Sequence, residues 1–190
     1  MKLAILGGTF NPPHIGHLFL AEEVYRALAL DRVIFVPAHL PAHKEAAGGV
    51  PAADRLAMCR AAVQGCEYFG VDDCEVRRGG VSYMVDTVRE VAARYAVEGK
   101  PVLILGDDLC SGFPGWKNAR LLAETAAILL VHRLQREPVR FSFPHEYLDN
   151  RIMELSSSEI RERVRAGRPV RFLVPDGVYA YIEANRLYRD

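Results

Sequence analysis

The sequence contains no Cys-x-x-Cys pair: its four cysteines, Cys59, Cys66, Cys74 and Cys110, stand apart. A chain of 190 residues that is half apolar needs no covalent staples, so reduced, mostly buried thiols are expected. The same spacing argues against a structural zinc site, even with six histidines present. Excess charge is also missing. Twenty-four basic residues balance twenty-four acidic ones, which leaves no overall field to draw the molecule to nucleic acid or to an anionic membrane. No apolar run is long enough to cross a bilayer, and Leu3 to Leu6 is too short for the apolar core of a secretion signal. These absences point to a cytoplasmic protein of one domain, residues 1–190, whose partners are small molecules. They leave homo-oligomerisation open.

What the sequence does have is alternation. Lys2 to Leu6 reads as a buried strand, and Gly16 to Leu28 places Leu18, Ala21, Val24, Tyr25 and Leu28 at helical spacing. Arg32 to Val36 is a second strand, followed after a loop rich in Pro, Gly and His by a helix over Ala52 to Gln64. Strand-like Phe69 to Val76 precedes a helix around Tyr83 to Tyr95, and Pro101 to Leu105 precedes one around Ala119 to Glu124. Ala127 to His132 is a further apolar run. In the tail, Arg151 to Leu155 reads as a last strand, and Ser156 to Ala166 and Pro175 to Tyr188 as helices. Residues 134–149 carry no clear pattern. The pattern predicts an α/β fold: a Rossmann-like doubly wound parallel sheet, in a single domain with a C-terminal helical segment. Ligands of such folds bind beyond the carboxyl ends of the strands, where strand order reverses.

The loop after the first strand fits that place. Gly7, Gly8, Thr9 and Phe10 lead through Asn11 and two prolines to His14, Ile15, Gly16 and His17 at a helix entrance. Two glycines let backbone approach a bulky anion, and free N–H groups at a helix start supply partial positive charge. His14 and His17, three apart, put both imidazoles on one side, where they can donate to neighbouring phosphate oxygens. Neither a P-loop nor a dinucleotide Gly-x-Gly-x-x-Gly fingerprint is present. A tight turn with surface histidines is the blander alternative, and a histidine metal site lacks a third ligand nearby in sequence.

Near the other end, Ser156 followed by Glu159 forms a capping box, as any well-made helix has. Ser158 and Arg161, three apart on one face, add a hydroxyl and a guanidinium that can converge on a polyphosphate. Trp116, the sole tryptophan, offers a flat face for stacking a ring or is an ordinary core aromatic. Lys44 is a point charge able to meet a phosphate or a solvated loop lysine. Asp108 follows a buried strand and can accept from a ribose hydroxyl, or with Asp107 can cap the next turn.

The loop reads His-Ile-Gly-His and resembles the His-x-Gly-His signature of the nucleotidylyltransferase superfamily; Leu155 to Arg161 is similar to that group's Ile-Ser-Ser-Thr-x-Ile-Arg motif. Other segments resemble bacterial nicotinate mononucleotide adenylyltransferases over most of the chain. They are Pro37 to Lys44 with Arg55 and Met58, Glu75 to Thr87, Gly106 to Asp108 with Phe113 and Trp116, and Leu173 to Tyr188. Ala42, Asn11, Met84, Leu134 and Gln135 depart from the pattern. The resemblance implies transfer of the adenylyl group of ATP to nicotinate mononucleotide. It makes His14, His17 and Arg161 catalytic, and assigns ATP to Gly7, Gly8, Thr9, Phe10, Gly106, Asp108, Ser157 and Ser158 as well. The acceptor falls to Lys44, Tyr83, Met84 and Trp116. Mg2+ is expected as a cofactor held by phosphates rather than by protein ligands. A sister enzyme using nicotinamide mononucleotide or phosphopantetheine, or a non-catalytic nucleotide sensor, is the alternative.

Overall fold

The computed structural model describes residues 1–42, 49–133 and 137–189. The chain opens with β1 (Leu3–Gly8), α1 (Ile15–Ala27), β2 (Arg32–Pro37) and the very short β3 (Leu40–Pro41). It continues through α2 (Ala52–Val63), β4 (Phe69–Val71), α3 (Cys74–Arg78), β5 (Val81–Ser82) and α4 (Met84–Arg94). Next come β6 (Val102–Gly106), α5 (Ala119–Thr125), β7 (Ala127–Val131) and β8 (Glu146–Leu148). The helices α6 (Ser157–Arg165) and α7 (Asp176–Ala184) follow.

Six strands form one sheet in the order β4-β2-β1-β6-β7-β8, and every pairing is parallel. Strand residues alternate between two apolar layers, as a sheet covered on both faces requires. Leu3 and Ile5 of β1 join Val85, Val88 and Val91 of α4 on one side. Ala4 and Leu6 join Ala21 and Val24 of α1 on the other. A third cluster seats Ile160 of α6 and Val178 and Ile182 of α7 on Met58 and Ala62 of α2. The C-terminal helices are thereby packed against the helix that follows β2. Strand order reverses between β1 and β6, so their carboxyl ends flank the crevice expected to hold ligand.

Several boundaries differ from the sequence reading. The strand expected over Phe69 to Val76 stops at Val71, because the Asp72 carboxylate accepts the Cys74 N–H at 2.8 Å and starts α3. Arg151 to Leu155 forms no strand; the last strand is β8, inside the tract without a clear pattern. Beside β7, Asn150 acts as a surrogate neighbour: its side chain accepts the His132 N–H at 2.7 Å and donates to the His132 carbonyl at 3.0 Å. The final helix ends at Ala184 instead of Tyr188, where positive φ values at Arg186 and Tyr188 turn the chain. The β3–β5 ladder of two residue pairs is too short to leave a periodic signature.

Candidate active site

The loop from β1 to α1 is gripped from behind. Arg55 of α2 donates to the Thr9 carbonyl at 2.7 Å, Arg161 of α6 to the Asn11 carbonyl at 2.8 Å, and Ser157 of α6 to the Pro12 carbonyl at 2.8 Å. The peptides after Asn11 and Pro12 have proline nitrogens, so turning those two carbonyls inward orphans no N–H. The Asn11 side chain is also held, accepting the Tyr188 hydroxyl at 2.7 Å in a buried position. Ile15 at the start of α1 donates its N–H to the Leu173 carbonyl, and His17 donates its own to the His14 carbonyl. The helix start therefore offers fewer free N–H groups than the sequence suggests.

The two histidines meet. Their ring centroids lie 3.7 Å apart at a tilt of 31°. His14 is the N-cap of α1 and donates its backbone N–H to Nδ1 of His17 at 3.2 Å. An Nδ1 that accepts must be bare, so the neutral His17 ring carries its proton on Nε2. Phe10 stands edge-on to His17 at 5.0 Å. His14 is 3% exposed. Burial first, and the positive charge of Arg133 second, pull its pKa from 6.5 down to about 4, so the ring is neutral at neutral pH.

α6 completes the arrangement. Ser156 caps it by accepting the Glu159 N–H at 3.1 Å, one half of the expected capping box, while the Glu159 carboxylate accepts from Arg163 Nε at 2.9 Å. Arg161 reaches Asn11 with one terminal nitrogen and Ser158 Oγ at 3.0 Å with the other. The paired histidines and the serine–arginine pair, well over a hundred residues apart, thus flank one short loop. Arg161 takes a second task that the sequence reading lacked, since one arm of its guanidinium holds loop backbone.

At the end of β6 the two aspartates divide their duties. Asp107 is buried and accepts the Arg133 N–H at 3.1 Å and the Tyr147 hydroxyl at 3.2 Å. Asp108 is exposed, and its carboxylate lies where a β-carbon on Gly106 would stand. Beyond the loop, Gly8, Glu75, Tyr83, Met84, Trp116 and Lys117 line a cleft of about 490 Å³, counted out to solvent. Tyr83, Met84 and Trp116, the expected acceptor residues, thus share one cavity next to the phosphate loop; Lys44 lies outside the described residues. The room that Gly7 leaves is filled by the Met84 terminal methyl, and a β-carbon on Gly8 would lie 3.1 Å from the Phe10 ring. Both glycines therefore serve close approach within the protein itself. Among the described residues, no three His, Cys, Asp or Glu side chains are grouped to hold a metal ion.

Residues 5–163 match the cytidylyltransferase-like family. A probable nicotinate-nucleotide adenylyltransferase of Borreliella burgdorferi is 44% identical, over 99% of this chain and 97% of the relative. One of Treponema pallidum is 37% identical over the full length of both chains. This chain belongs to the nicotinate-nucleotide adenylyltransferase family. The fold agrees: the Plasmodium falciparum nicotinic acid mononucleotide adenylyltransferase complexed with NaAD superposes with a TM-score of 0.78 at 15% identity, covering 98% of this chain and 97% of that one. A Vibrio parahaemolyticus structure described as a putative nicotinate-nucleotide adenylyltransferase gives 0.73 at 18% identity, over 100% and 97% of the two chains. As a nucleotidyltransferase the chain is an enzyme of NAD biosynthesis.

Within this adenylyltransferase, sequence reasoning gave no role to Arg55 and Tyr188, two of the residues that hold the loop. Arg55 is 4% exposed and joins the Thr9 carbonyl to that of His39 at 2.9 Å, linking the phosphate loop to the segment after β2. The resemblance over Pro37 to Lys44 with Arg55 and Met58 marked it without giving it a role. Tyr188 looked like one more apolar residue of the last helix. The Asn11 departure now has a reason: a buried amide oxygen suits the Tyr188 hydroxyl, whereas a buried carboxylate would need a full charge compensated.

Proposed function

We propose that this chain transfers the adenylyl group of ATP to nicotinate mononucleotide, as one domain acting in the cytoplasm. A phosphate oxygen of the acceptor forms a bond to the α-phosphorus of ATP while the bond from that phosphorus to its bridging oxygen breaks. Nicotinate adenine dinucleotide and pyrophosphate result. The acceptor phosphate is already anionic and needs no general base, so rate comes from alignment and from donors aimed at developing charge.

The neutral His14 ring would donate to the α-phosphate and His17 Nε2–H to the leaving phosphates, while Ser158 and Arg161 draw the pyrophosphate side toward α6. Asp108, exposed at the end of β6, would accept from a ribose hydroxyl. Tyr83, Met84 and Trp116 would enclose the pyridine ring. The donor set here is imidazole, guanidinium, hydroxyl and backbone N–H, which suits the triphosphate rather than a cation, so Mg2+ would sit among phosphate oxygens and water. Bound there, it neutralises phosphate charge.

The observation that carries this reading is the convergence of His14, His17, Ser158 and Arg161 around residues 11–12 beside the aromatic cleft. Pyrophosphate release measured with ATP, Mg2+ and each acceptor in turn tests it. Nicotinate mononucleotide should give the highest kcat/KM, ahead of nicotinamide mononucleotide, phosphopantetheine and glycerol phosphate. ATP binding with no release for any acceptor would make the chain a sensor instead.

A further inference from the structure

Nicotinate and nicotinamide mononucleotide differ only in a carboxylate against a carboxamide on the pyridine ring. We propose that Lys117 is the residue that selects the acid, its ammonium meeting that carboxylate; the inference rests on the acceptor reading above. Among the described residues lining the acceptor cleft, Lys117 is the one cation and Glu75 the one anion. Glu75 is 3% exposed, accepts the Thr87 hydroxyl, and exerts its charge on buried Arg55 behind the cleft. Its charge is therefore faced from within the protein.

Lys117 is differently placed. Its Nζ lies 4.3 Å from the centre of the Tyr83 ring and 3.2 Å from Asp86 Oδ2, with the side chain 45% exposed. The other Asp86 oxygen pairs with Arg89 at 3.2 Å. One carboxylate thus serves two cations, which among the described residues leaves positive charge in excess at the mouth of the cleft. Asp86 also takes only one of three ammonium donors. The Tyr83 face and Asp86 together hold the ammonium at the rim instead of leaving it to roam. Chain connectivity adds the last element, because Lys117 directly follows Trp116, the residue placed to stack the ring. A ring carboxylate arriving there gains a charge-assisted hydrogen bond, whereas a carboxamide offers only a neutral oxygen.

The test uses the full chain with ATP, Mg2+ and the acid and amide mononucleotides, in the wild type and in K117M, K117R and K117E. In K117M the ratio of acid to amide kcat/KM should fall about tenfold, through the KM for the acid, as expected for loss of a hydrogen bond between charged groups. K117R should keep the ratio, and K117E should lower it further than K117M. A ratio unchanged in K117M overturns the proposal. This holds whether both acceptors weaken together, which would put the ammonium on the acceptor phosphate they share, or neither does. Wild-type enzyme that releases pyrophosphate with neither mononucleotide overturns the acceptor reading and this inference with it. Thermal unfolding of each variant separates selectivity from folding.

Discussion

His17 owes its usefulness to the position of one proton. Because the His14 backbone N–H occupies Nδ1, the neutral ring carries its proton on Nε2. His17→Ala should lower kcat by ~10²-fold or more, with a melting temperature close to wild type; turnover undiminished in the folded variant would end the mechanism. His14 gives a prediction in pH. Unfolded, its imidazole protonates near 6.5, and folded near 4. Between those values the unfolded chain binds a proton that the folded chain does not, so stability from this residue is complete above pH 6.5 and lost as pH falls toward 4. Thermal unfolding followed from pH 7 down to pH 4 should show the melting temperature dropping. In His14→Gln that slope should be shallower.

The elements around the loop behave as one clamp, with α2 supplying Arg55, α6 supplying Ser157 and Arg161, and the turn after α7 supplying Tyr188. Tyr188→Phe removes the hydrogen bond that the Tyr188 hydroxyl gives the buried Asn11 amide oxygen, which should cost about 1–3 kcal/mol of stability, read as a lower urea midpoint at unchanged slope. Arg55→Met should raise the KM for ATP and for the acceptor together, because it releases the Thr9 and His39 carbonyls on either side of the site; a change confined to one KM would contradict the linking role. The alternating sheet and its helices were legible in the sequence, since each long element carries a burial pattern with one period. So were His14, His17, Ser158 and Arg161, because their chemistry is local to two short motifs. What escaped were contacts made by polar side-chain atoms, some local and some across long separations. Asp72 ended β4 through a side chain, Asn150 stood in for backbone beside β7, and Tyr188 looked like helix until its hydroxyl was seen to reach Asn11. A linear pattern reports which residues avoid water, but says little about which distant carbonyl a given hydroxyl will find.

At the scale of the whole molecule, one apolar cluster joins α2, α6 and α7, and α2 and α6 are the helices that grip the loop. Ile182 is fully buried there. Ile182→Ala should destabilise the protein by about 2–5 kcal/mol and raise the KM for ATP well below the unfolding temperature, although the residue lies on a helix that contributes no predicted ligand contact. Tryptophan fluorescence and far-ultraviolet dichroism should report the same transition if the cluster and the sheet unfold together. The bond from Tyr188 to Asn11, joining residues 177 apart, also bears on synthesis. A ribosome delivers the loop among the first segments and Tyr188 among the last, so the nascent chain can build most of its sheet while that fastening is still to be made. Catalytic competence is thereby tied to translation running as far as residue 188, and a product cut short before it would present the nucleotide-binding motifs without the tether that holds the first of them.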